Sequence, residues 1–76
     1  MMEDYLVKTS NFYPTVRDYL NEHKISENET NGKVTINFVG GAKVNFEPIS
    51  NDEVLVGVKG NIGKLTKILK KVSIKN

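Results

Sequence analysis

The stretch Lys33-Val-Thr-Ile-Asn-Phe-Val-Gly-Gly-Ala-Lys-Val-Asn-Phe-Glu-Pro48 decides the fold class. Val34, Ile36 and Phe38 alternate with Thr35 and Asn37, the period of a strand with one buried face. Gly40-Gly41 then supplies a turn that tolerates positive φ. Beyond it Ala42, Val44 and Phe46 alternate with Lys43, Asn45 and Glu47, and Pro48 limits further pairing. This is a hairpin. Its second face, carrying Thr35, Asn37, Lys43, Asn45 and Glu47, is polar enough for solvent or a partner.

Outward from the hairpin, Ser50-Asn51-Asp52 has turn chemistry, and Glu53 to Lys59, with Val54, Leu55, Val56 and Val58, reads as a third strand. Gly60-Asn61 follows, with Asn61 suited to cap a second helix over about residues 61–72. Its apolar side is Ile62, Leu65, Ile68, Leu69 and Val72. On the other flank, Ser26 to Gly32 is polar and reads as a loop ending at Gly32. Before it, Phe12, Tyr13, Val16, Tyr19, Leu20 and His23 share one side of a helical wheel, which predicts a first helix over about residues 13–24. Pro14 suits its first turn, where a missing N–H costs nothing. Tyr5-Leu6-Val7 fits either a strand or a helix start, and Ser73 to Asn76 a short tail or a last extended segment. The expected fold is therefore α+β: a single domain, residues 1–76, in which a three-stranded antiparallel meander carries two helices on one face. The order is α-β-β-β-α, with room for an extra N-terminal strand.

Composition narrows the function. A chain of 76 residues buries only about 60% of its unfolded surface and gains from an external support. The absence of cysteine excludes disulfides, a thiol nucleophile and a thiolate metal site, and a single histidine, His23, leaves no multi-histidine site. His23 is expected to be packed or partly exposed at the end of helix 1, complementing its C-terminus, rather than to act as a base. Glu27 and Glu29 sit in the expected loop, too unconstrained for acid–base work. No catalytic constellation, cofactor or small-molecule substrate is expected, so the chain reads as a non-enzyme. The N-terminus carries Glu3 and Asp4 where a secretory signal needs a basic region, and no apolar run reaches a membrane span. A cytoplasmic location is the expectation.

Net charge is only +2, but its distribution is uneven. Residues 1–30 hold six acids and three bases, whereas residues 57–76 hold six lysines and no acid. Those lysines are Lys59, Lys64, Lys67, Lys70, Lys71 and Lys75. Lys64, Lys67 and Lys71 fall within about 60° of one another on a helical wheel, opposite Ile62, Leu65 and Leu69. Ammonium groups one turn apart can meet successive phosphates and release their counterions. The plain alternative is a solvated helix face, because lysine favours helices and keeps small proteins dispersed. Gly60-Asn-Ile-Gly63-Lys64 has the Gly-x-x-Gly form with which KH domains clamp phosphates, but a strand precedes it here, which favours a plain strand-to-helix turn. These residues predict an RNA-binding protein that contacts phosphates through helix 2, flanked by Lys59 and Lys75. The rival expectation is a small protein-binding regulator, such as a phage- or plasmid-encoded inhibitor, docking by a sheet edge or by Asp18 and Glu22 of helix 1.

The predicted order of elements is shared by double-stranded-RNA-binding domains. Three segments also resemble the eukaryotic large-subunit ribosomal protein twenty-two family. Tyr19-Leu-Asn-Glu-His-Lys24 resembles the end of that family's first helix. Gly40-Gly41 before Val44 and Phe46 resembles its glycine turn, and Gly63-Lys-Leu-Thr-Lys-Ile-Leu-Lys-Lys71 its lysine-rich second helix. The resemblance spans about residues 12–72. It implies a ribosomal component with ribosomal RNA and neighbouring ribosomal proteins as partners, with Lys64, Lys67 and Lys71 on the RNA and Leu69 buried.

Overall fold

A computed structural model describes residues 2–74 of the chain. Five strands and two helices follow one another as β1 (Met2–Lys8), α1 (residues 9–23), β2 (Ser26–Thr30), β3 (Lys33–Asn37), β4 (Lys43–Pro48), β5 (Glu53–Lys59) and α2 (Gly63–Val72). The strands form one sheet in the order β1-β5-β4-β3-β2, every neighbouring pair antiparallel. The α+β class holds, but the three-stranded meander is too small: β1 and β2 extend it on either side.

β2 replaces the expected loop. The cause is Asn31-Gly32, whose φ angles of 54° and 81° give the left-handed turn that matches the twist of a two-residue hairpin. With that turn, Ser26 pairs with Asn37 and Thr30 with Lys33. Polarity does not prevent this, because β2 is an edge strand with only one neighbour. The Tyr5-Leu6-Val7 run resolves as a strand, Val7 opposite Val54 and Tyr5 opposite Val56. Past α2, Ser73 bridges to Val7, and Ile74 N–H donates to the Leu6 carbonyl at 2.7 Å.

Helix α1 starts at Thr9, four residues earlier than its apolar period suggests. Pro14 thus lies inside it, where its ring and missing N–H oppose an ordinary α turn. The helix answers by widening: Thr9–Asn11 is α, Phe12–Arg17 is π, and Asp18–His23 is α again. Helix α2 starts at Gly63, not 61; Ile62 stands at its cap position and no side chain caps it.

One core joins the layers. Val7, Ile36, Val44, Phe46, Val54, Val56 and Val58 rise from one face of the sheet to meet Phe12, Val16 and Leu20 of α1 and Leu65 and Leu69 of α2. Phe12 and Phe46 rings stand 4.8 Å apart. Both helices thus cover the same face, as the two-layer reading expects. The opposite face is open: Lys43, Asn45 and Glu47 of β4 alternate with its buried residues, as do Thr35 and Asn37 on β3. No helix among the described residues is long and apolar enough to cross a membrane.

Candidate nucleic-acid interface

The basic segment begins where β5 ends. Gly60 adopts φ +96°, and a Cβ there would stand 3.0 Å from the Cα of Ala42, so the chain can leave β5 this closely only with glycine. Asn61 and Ile62 complete the connection. Leu65 and Leu69 then seat α2 on the core, fully buried, with Ile62, Ile68 and Val72 packed beside them. This seating points Lys64, Lys67, Lys70 and Lys71 outward, and all four are exposed. Lys70 and Lys71 occupy the last turns, where their charge complements the helix dipole.

The expected site residues fall into groups. Lys64, Lys67 and Lys71 share the outer side of α2. Lys67 and Lys70 also line an open groove of about 590 Å³ with Gly60, Gly63, Thr66 and Glu3. The Gly60–Gly63 segment is a strand-to-helix turn at the rim of that groove. Lys59 lies elsewhere. It alternates with buried Val58 and so belongs to the open sheet face, directly opposite Lys43 of β4. Lys75 falls outside the described residues. Sequence alone placed Lys43 on the open face but missed its pairing with Lys59, because that pairing depends on strand register.

Among the described residues, none of these lysines is in an ion pair. Both salt bridges converge on Glu27 instead: Arg17 Nη2 at 2.9 Å and Lys24 Nζ at 2.8 Å. Their hydrogen bonds hold the Glu27 carboxyl down at about 2. Arg17 also lies over the Phe46 ring, its guanidinium carbon 5.1 Å from the centroid. In the groove Glu3 already accepts a hydrogen bond from the Tyr5 hydroxyl at 2.9 Å. Partial burial, then that bond and the Glu3 charge, raise the Tyr5 phenol above its ordinary value.

His23 is exposed at the end of α1. Its ring stacks on Tyr19 at 4.2 Å, and its Nδ1 donates to the Tyr19 carbonyl at 3.0 Å, closing the last turn of α1. Among the described residues no group of three His, Asp or Glu side chains could hold a metal ion. Chemically, the arrangement offers point charges and amide or hydroxyl hydrogen bonds: means to bind an anion. Comparison with family models, with curated proteins and with solved structures finds no match for this chain.

Proposed function

We propose that the protein is an RNA-binding structural component of a ribonucleoprotein, held to phosphates by α2. The observation that carries this reading is that Lys64, Lys67, Lys70 and Lys71 are all exposed on one ten-residue helix, without an ion-pair partner among the described residues. Four unquenched cations on a rigid element give phosphates a fixed pattern to meet. Lysine acts there as a point charge, so contact follows the backbone and not the base sequence. The family resemblance implies the large ribosomal subunit as the assembly.

The test is the salt dependence of RNA binding. Replacing Lys64, Lys67 and Lys71 with Ala should weaken binding and flatten the log–log slope by about 0.7–0.9 for each lost phosphate contact. An unchanged slope would remove α2 from the interface.

A second reading, a protein-binding regulator, draws on the outer edge of β2. Its five residues have a strand neighbour on one side only, leaving backbone groups for an added strand. Tight binding to one purified protein, indifferent to the lysine changes, would favour it.

A further inference from the structure

We propose that an RNA strand held by α2 passes over the Gly60–Ile62 connection onto the open face of the sheet, where Lys43 and Lys59 take further phosphates. The inference rests on the RNA-binding reading above and extends its footprint to the other layer of the molecule.

The first support is an electrostatic anomaly. Lys43 and Lys59 are direct cross-strand partners on one face, both exposed, and neither has a carboxylate in contact among the described residues. Like charges placed so oppose sheet formation, and a bound anion reverses the sign of that interaction. Elsewhere on this face the pairing is ordinary: Lys8 of β1 stands opposite Glu53 of β5. The uncompensated pair occurs only at the end of the sheet where β5 runs on to the start of α2.

The second support is continuity. Three residues separate Lys59, on the open face, from the start of α2 at Gly63. The two lysine groups therefore flank one short connection, with the groove edge beside it. A strand engaged by Lys64 and Lys67 reaches Lys59 by crossing this end.

The third support is the surface beyond the lysines. The row of Lys59 and Lys43 continues into Asn37 and Ser26, whose side chains are hydrogen-bonded at 3.0 Å. The adjacent row runs through Asn45, Thr35 and Asn28, with Asp4 at its far end beyond Gly57. These short amides and hydroxyls suit sugar hydroxyls and phosphate oxygens. Over Gly57 the side chains of Asn45, Asp4 and Met2 close in, coming within 2.8–3.1 Å of where a Cβ would stand. No aromatic side chain stands in these rows, so the face offers backbone contact without base stacking.

The test uses the full chain and fluorescein-labelled oligouridylate, with anisotropy read across a salt series. Three variants are compared with the parent: Lys43→Gln/Lys59→Gln, Lys64→Gln/Lys67→Gln/Lys71→Gln, and Lys33→Gln at the far end of the same face. The Lys43/Lys59 variant should flatten the salt slope by about 1.4, two single-strand contacts, while Lys33→Gln leaves it unchanged. A slope lowered only by the α2 variant overturns the open-face path and leaves the helix reading standing. An equal effect from Lys33→Gln shows diffuse attraction and also overturns the path. Absence of salt-dependent binding by the parent overturns both readings. Thermal unfolding of each variant confirms that the compared proteins are folded.

Discussion

Glu27 shows how one residue can hold a helix to a sheet edge. Its neighbours on β2 are polar and exposed, and nothing apolar anchors that strand. Instead its carboxylate, on the helix side opposite Ile36, accepts from Arg17 and Lys24. Because the folded carboxyl sits at about 2, below the ordinary 4.5, the ionised form is favoured by folding. Its contribution is complete above about 4.5 and falls away as pH drops toward 2. Glu27→Gln should therefore cost about 0.5–1 kcal/mol at neutral pH, in the range of partly exposed pairs. The gap to the parent protein should close near pH 2. Denaturant midpoints of both proteins at the two pH values check this, and a constant gap would mean that packing, not charge, is what the substitution removes.

At the scale of elements, the hairpins and helices differ in how plainly sequence announces them. β3, β4 and β5 were legible because a buried strand with two neighbours needs alternating apolar residues, and Val34 to Phe46 and Val54 to Val58 supply them. The apolar side of α2 was legible for the matching reason. β2 was hidden because both of its helix-side positions are glutamates, Glu29 and the ion-paired Glu27, which leave no alternation; the Asn31-Gly32 pair was its one signal. The start of α1 was misplaced because Pro14 suits a first turn, while a π segment can also absorb it. The lysines were visible by eye, but that Lys59 stands opposite Lys43 on the open face required the β4–β5 register. The turn itself can be tested. Gly32 has φ +81° and open space around it, so Gly32→Ala meets only backbone strain. It should lower stability by about 1–2 kcal/mol and leave the salt dependence of RNA binding unchanged. Chemical denaturation read beside the binding assay separates the two effects.

For the whole molecule, the small size makes core contacts costly to lose. Domains hold roughly 0.05–0.15 kcal/mol per residue, and truncating a buried leucine costs about 2–5 kcal/mol. Leu69 is fully buried and joins α2 to the core, so Leu69→Ala should unfold much of the population at ambient temperature. If RNA binds only the folded chain, saturating oligouridylate restores it, by about 2.7 kcal/mol at a hundredfold excess over Kd. Circular dichroism with and without the oligonucleotide measures that return. A variant equally unfolded in both would show that RNA gives the fold no support.

The order β1-β5-β4-β3-β2 also sets a sequence of events in time. From Ser26 to Lys59 each strand pairs with the one just made, so the meander can grow as the chain lengthens. β1 has no such neighbour: Leu6 must wait for Leu55, and Val7 for Val54 and then Ser73. Closing that distance carries a large loop entropy before any contact repays it. During synthesis, Phe12, Val16 and Leu20 therefore emerge into water long before the sheet that covers them is made. β1, made before every strand it could pair with, is the last strand to find its place.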